Sequence, residues 1–266
     1  MPEHGRIAVA GATGRVGRHV VDLLEAGGHE VVQISRSNGV DLVGGDGLAD
    51  ALTGVTTVVD VATHDSPDEE AATAFFTAAA RNLEEAGGRA GVERIVLLSI
   101  IGIDRFSTGY YAAKRRQEQA LLSGPIPVRI LRASQFHEYI PEMIGWFRQD
   151  DAAYVPSWPT QPIAARQVAE ALVEVATGTG PARGSSEPPF PELAGPRAES
   201  FSDLAQLLST RLGDPKRVEV ARDLPVPESE VYASGALLPG PEATLAGPTF
   251  EQWLESADGA GANAEA

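Results

Sequence analysis

"IAVAGATGRVGRHVV", residues 7 to 21, decides the fold. A short apolar run meets three glycines, Gly11, Gly14 and Gly17, and passes directly into helical spacing. At a strand-to-helix turn the first glycine permits the tight bend, the second lets backbone approach a pyrophosphate, and the third allows helix and sheet to pack closely. The helix N-terminus beyond them offers free N–H groups and a positive dipole end. The first interval is one residue longer than in the commoner dinucleotide fingerprint. At the first such turn of an alternating chain the pattern still reads as a dinucleotide-binding loop.

Outward from the loop, "RIAVAG", "EVVQIS", "TTVVDVA", "RIVLLS" and "PVRIL" are short, near-continuous apolar runs, as expected of strands covered by helices on both faces. Between them, "RVGRHVVDLLEAG" and "DEEAATAFFTAAARNLEEAGG" carry helical spacing, and each is expected to stop at its Gly-Gly. The order predicts an α/β fold, a Rossmann-like doubly wound parallel sheet. After about residue 137 prolines recur, and "TGTGPARGSSEPPFPE" reads as a loop. Helical patterns remain at "ARQVAEALVEVA" and "SFSDLAQLLSTRLG". This region is expected to form a small C-terminal substrate-binding cap. We therefore expect one domain over residues 1–255, with the core at about 1–136 and the cap mainly over 137–255. A disordered tail is expected at 256–266.

Composition removes several classes of function. The 266 residues include no cysteine, which excludes disulfides, thiolate nucleophiles and thiolate metal sites. A net charge of -16 opposes the attraction that drives nucleic-acid binding. There is no run of 18 or more apolar residues, and the chain opens straight into an apolar strand, so a soluble cytoplasmic protein without membrane contact is expected. No histidine or carboxylate cluster has metal spacing, and no Gly-x-Ser-x-Gly elbow is present. Chemistry then falls to hydroxyls, amines, carboxylates or a bound cofactor.

The end of the second strand bears on which dinucleotide. An NAD site usually carries an acidic residue there for the ribose 2′-OH. Here the segment "QISRSNG" has none, while Arg36, with Arg15 in the loop and Ser35 or Ser37 nearby, supplies donors suited to a 2′-phosphate. NADP(H) is the expected cofactor.

Lysine occurs only at Lys114 and Lys216, so each is informative. Tyr110 stands four residues before Lys114, on one helical face, whereas about 0.04 such pairs are expected by chance from five tyrosines and two lysines. An ammonium beside a phenol lowers its pKa and can also hold a nicotinamide ribose. Ser99 ends "RIVLLS", at the sheet edge where a hydroxyl can meet a substrate carbonyl. Tyr111 points about 100° away and reads as a packing residue.

"GATGRVG", "VERIVLLSIIGIDR", "YYAAK", "VRILRASQF", "QPIAARQVAEAL", "ELAGP" and "GPTFEQWL" together resemble the atypical short-chain dehydrogenase/reductases, specifically the NmrA-like NAD(P)H-binding branch. The resemblance implies that Gly11, Thr13, Gly14, Arg15, Val16 and Gly17 hold the pyrophosphate and nearby phosphate, and that Arg36 meets the adenosine 2′-phosphate. It puts Asp46 beside adenine, Ala62 and Thr63 beside the cofactor ribose, and Gln135 and Phe136 at the nicotinamide. Lys114 would bind the nicotinamide ribose, Tyr110 would exchange the proton, and Ser99 would orient the carbonyl. The implied activity is an NADPH-dependent oxidoreductase acting on a carbonyl or quinone-type small molecule, as a monomer or homodimer. Two alternatives share the fold: a catalytically silent NADP(H) sensor, and a non-redox isomerase or dehydratase. His64 and His137 are candidate substrate contacts. Phe136, Tyr139, Met143, Trp146, Phe147, Tyr154 and Trp158 would form either a substrate pocket, the core of the cap, or a dimer face.

Overall fold

The computed structural model describes residues 5–64, 68–178, 184–222 and 224–256. The chain forms two compact units, one from Met1–Arg132 and Val168–Pro191, the other from Ala133–Gln167 and Glu192–Ala266.

In the first unit the expected alternation is observed. It runs β1 (Arg6–Ala10), α1 (Gly17–Ala26), β2 (Val31–Ile34), α2 (Leu48–Ala51), β3 (Val55–Asp60), α3 (Glu69–Ala90), β4 (Arg94–Ile100), α4 (Gly109–Leu122) and β5 (Val128–Ala133). The strand order is β5-β4-β3-β1-β2, with β1 parallel to both β2 and β3, and β3 parallel to β4. This is a Rossmann-like doubly wound sheet. Because the chain leaves β1 toward β2 on one side and returns to β3 on the other, the β1 and β3 carboxyl ends flank a topological switch point, where such sheets bind ligands. The core beneath it is aliphatic, drawn from Ala8, Ile34, Val58, Leu83, Ile95 and Ile130 among others.

One helix boundary differs from expectation. Asp68 caps α3, its carboxylate accepting from the Ala71 N–H at 2.8 Å. The helix then continues through Gly87-Gly88 and stops at Gly91, whose φ of +80° is the left-handed cap. Gly87 is a packing glycine instead: a Cβ there would stand 3.0 Å from Ile126 Cδ1. Gly-Gly looks like a stop only when its neighbour across the interface is unseen.

The second unit is assembled from shorter pieces. These are α5 (Ile140–Trp146), β6 (Arg148–Gln149), β7 (Ala152–Val155), β8 (Pro159–Thr160), and α6 (Ala165–Thr177), along which the chain returns to the first unit. After Pro191 come β9 (Glu192–Ala194), β10 (Glu199–Ser200), α7 (Phe201–Leu212), β11 (Arg217–Val220), α8 (Ser229–Ala233), β12 (Thr244–Leu245) and α9 (Phe250–Leu254). The strands pair as β11-β7-β6, β10-β8 and β12-β9. A core of Ile140, Ile144, Phe201, Leu204, Phe250 and Trp253 holds them together. Five-residue α9 survives because Thr249 and Gln252 form a reciprocal capping box and because it buries both its aromatic rings. Most of the expected aromatic cluster serves packing within this unit: Phe147 meets Trp158 and Phe201, and Trp158 stacks on Tyr232 at 4.6 Å. Trp146 lies edge-on to Tyr139 at 5.5 Å yet keeps 57% exposure. Among the described residues no helix is long and apolar enough to cross a membrane. The expected tail lies, from residue 257, outside the described residues, as do 179–183 of the expected loop.

Candidate functional site

The glycine loop sits at the end of β1. Gly11 has φ +81°, and a Cβ on it would stand 2.8 Å from Ala62 Cα, so the loop rests directly on the end of β3. Gly17 is as tightly held: its Cβ would fall 2.0 Å from the Gly11 carbonyl oxygen. Gly14 differs, because a Cβ there would meet only the Gly11 oxygen, at 3.3 Å. The protein thus requires two of the glycines for its own packing and leaves the third bare on the outer side. Thr13, Gly14 and Arg15 are exposed, while Val16 is buried as the residue before α1. α1 has neither a capping side chain nor an acidic residue in its first turn, leaving its positive end to an outside anion. These residues fit a pyrophosphate.

At the end of β2, Ser35 Oγ lies 2.9 Å from Ser37 Oγ, and Arg36 opens a short exposed 3-10 turn. Asp46 is exposed in the turn after it, where its carbonyl accepts from the Asp41 N–H at 2.9 Å. Asn82 of α3 pins that turn by donating to the Leu42 and Val43 carbonyls.

α4 carries the expected tyrosine and lysine. Its first residue, Gly109, donates its N–H to Glu69 Oε2 of α3 at 2.8 Å, and Arg116 meets the other oxygen of the same carboxylate at 3.2 Å. Tyr110 Oη is 2.7 Å from Thr63 Oγ1, just beyond β3. The Tyr110 ring lies edge-on to Phe76, and the Lys114 ammonium stands 4.8 Å from the centroid of the same Phe76 ring. Lys114 is only 5% exposed. Burial pulls its pKa down to about 8, against the opposing pull of Asp60 and Glu118. Tyr111 packs on Phe106 at 4.6 Å, the structural part assigned to it.

Sequence reading missed Asp60. It is wholly buried at the end of β3, where Oδ1 accepts from the Ala62 N–H at 3.0 Å and Oδ2 from Gln117 Nε2 at 2.9 Å. Burial raises its pKa, while Lys114, Ala62 and Gln117 act in the opposite sense. A lone carboxylate at the end of the otherwise apolar "VVDVA" was the available signal.

Ser99 is buried at 1% exposure, and among the described residues its Oγ has no hydrogen-bond partner. Of the two hydroxyls Ser99 and Thr63, it is Thr63 that meets Tyr110. The His64 ring lies tilted against Phe75 of α3, with centroids 5.3 Å apart. Gln135, Phe136 and His137 belong to the second unit. There Gln135 Oε1 accepts from Thr160, Phe136 forms a β-bridge with Ile163, and His137 Nε2 lies 3.1 Å from the Pro248 carbonyl, its ring beside those of Phe250 and Trp253. His137 is a core residue, and burial lowers its pKa to about 4.

A doubly wound parallel sheet with a bare glycine loop at its switch point defines a dinucleotide-binding protein. The chain belongs to the NAD(P)H-binding family, whose model matches residues 11–178, and this bears out the resemblance drawn from the sequence. Solved structures with the same fold include MoeE5 in complex with UDP-glucose and NAD, 20% identical, with a TM-score of 0.71 over 98% of this chain and 100% of that one. A short-chain dehydrogenase/reductase superfamily protein from Agrobacterium tumefaciens with bound NAD is 18% identical, with a TM-score of 0.66 over 98% and 97% of the two chains. A nucleoside-diphosphate-sugar epimerase from Staphylococcus aureus is 16% identical, with a TM-score of 0.69 over 94% and 100%. No curated protein matches the sequence.

Proposed function

We propose that the protein is an NADPH-dependent oxidoreductase that reduces, or oxidises back, a carbonyl or quinone-type small molecule, with Tyr110 as acid and base. One observation carries this reading: adjacent residues join the two halves of the site. Ala62 supports Gly11 of the cofactor loop, and Thr63 meets the Tyr110 hydroxyl. The phenol thus stands one residue from the surface on which the loop rests.

The glycine loop would hold the pyrophosphate, and Lys114 the nicotinamide ribose. Arg36, exposed at the end of a β2 that carries no carboxylate, would meet the 2′-phosphate of NADP(H). When bound, the nicotinamide supplies or accepts the hydride. Tyr110 Oη gives its proton to the oxygen of a carbonyl being reduced and takes it back in the reverse direction. Lys114 keeps positive charge beside the phenolate so formed. The favoured substrate class is a small or medium apolar ketone, quinone or natural-product intermediate.

The test is cofactor oxidation with a panel of ketones and quinones. Tyr110→Phe should lower turnover by about 10²-fold or more while leaving NADPH binding intact; unchanged turnover sinks the role of Tyr110. Arg36→Ala should weaken NADPH far more than NADH, and an equal loss for both refutes the 2′-phosphate assignment. Tight binding without turnover on any substrate, together with a stoichiometric protein partner, would favour the sensor instead.

A further inference from the structure

The end of β3 is tied to α4 at two levels. Deep in the unit, the Asp60 carboxylate holds the Ala62 N–H and the Gln117 side chain together; at the rim, Thr63 Oγ1 meets Tyr110 Oη. Tyr110, Lys114 and Gln117 are spaced i, i+4, i+7, which puts all three on one stripe of the helix. Along that stripe burial changes sharply. Gln117 and Lys114 are buried, whereas Thr63, at the Tyr110 end, is exposed. The Thr63 hydroxyl therefore touches the reacting oxygen and water alike, which Ser99, buried and without a partner among the described residues, does not.

We propose that Thr63 is the hydroxyl that serves the acid–base step at Tyr110. When Tyr110 has given up its proton, the Thr63 O–H donates to the phenolate oxygen and stabilises it, a charge-assisted bond stronger than the neutral one. To restore the phenol, the Thr63 proton passes to Tyr110 Oη while Thr63 Oγ1 takes a proton from solvent water, which leaves as hydroxide. Thr63 ends unchanged, and one proton has moved from solvent to Tyr110. This assignment rests on the reading of Tyr110 given above.

The titration of Tyr110 itself is the test, and it needs no substrate. Its midpoint is read as the tyrosinate absorption of each protein minus that of the same protein carrying Tyr110→Phe. Among the described residues, the charged and titratable groups on the elements around the phenol include Tyr111, Lys114 and Arg116 of α4, Glu69 of α3, which accepts from the first residue of α4, Asp60 of β3, which acts on Lys114, and His64 next to Thr63; all are left in place. Thr63→Val, nearly isosteric, should raise the midpoint by about one unit because it removes a donor to the charged form. Thr63→Ser should restore it. With any quinone or ketone that is turned over, Thr63→Val should also lower kcat about tenfold or more with little change in KM. An unmoved midpoint in Thr63→Val, or a shift that appears in Ser99→Ala instead, overturns the proposal. Loss of NADPH binding in Thr63→Val with an unmoved midpoint overturns it too, since Thr63 would then be a cofactor contact. Turnover that survives Tyr110→Phe defeats the parent reading separately, and the midpoint comparison still stands.

Discussion

Two cations depend on α4, about one turn apart, and their surroundings treat them in opposite ways. Lys114 is buried with a ring face and the fields of Asp60 and Glu118 for company, and its proton is loosened to about 8. Arg132 of β5 is buried against Glu118 and Asp104, with Nε at 3.0 Å and Nη2 at 2.7 Å from the two Glu118 oxygens, and with Nη1 and Nη2 both on Asp104. Burial alone would loosen the Arg132 proton, but these hydrogen bonds outweigh it and hold the group above its ordinary value. Pairing, more than burial, separates a cation available for chemistry from one that fastens the fold.

The sharpest way to break this contrast is Arg132→Met. It strands a Glu118 carboxylate whose side chain is only 4% exposed, so a loss of about 3–5 kcal/mol is expected in urea denaturation. Lys114 should show itself through pH instead. Its folded value of about 8 lies below the ordinary 10.5, so between these the unfolded chain binds more protons and stability rises with pH. That gain, on the order of 3 kcal/mol, should vanish in Lys114→Met; an unchanged slope from pH 8 to 10.5 would place the ammonium in a wetter site. Arg132 should add no such slope, because its stabilisation is lost only as pH climbs past a value already above that of ordinary arginine.

His137 extends the comparison to the second unit. Its folded value of about 4 is below the ordinary 6.5, so its contribution is complete above pH 6.5 and is lost as pH falls toward 4. Thermal melts of His137→Phe should lack that acid-side loss, about 2–3 kcal/mol in the parent chain. The smallest effect is expected at the exposed pair Arg148–Asp214, which has good bidentate geometry at 2.6 and 2.7 Å. Arg148→Ala should leave the urea midpoint within error, because water screens both partners.

The first unit was legible where a residue type answers a local demand. Gly11 and Gly17 stand where side chains do not fit, and the five apolar runs became the five strands of its sheet. Tyr110 and Lys114 were found because helical spacing is itself local. Reading failed where a partner comes from far along the chain. Asp60 needs Gln117, 57 residues on, and Gly87 needs Ile126. That the Thr63 hydroxyl, 47 residues before Tyr110, lies within hydrogen-bond distance of it is a matter of which strand end faces the helix, and side-chain type does not encode that. In the second unit, strands of two residues, such as β6 and β8, leave no period to detect.

The interleaving of the chain between the two units has a consequence for the order in which the protein is made. The outer edge of β5 is met within its own unit by Ser185, which exchanges backbone bonds with Ile130, and by Pro191, whose carbonyl accepts from the Arg132 N–H at 3.0 Å. A ribosome delivers β5 some fifty residues before these partners. During that interval the nascent sheet presents an open edge to any neighbouring polypeptide. Shortened versions ending before Pro191 should therefore aggregate, although every strand from β1 to β5 is present in them.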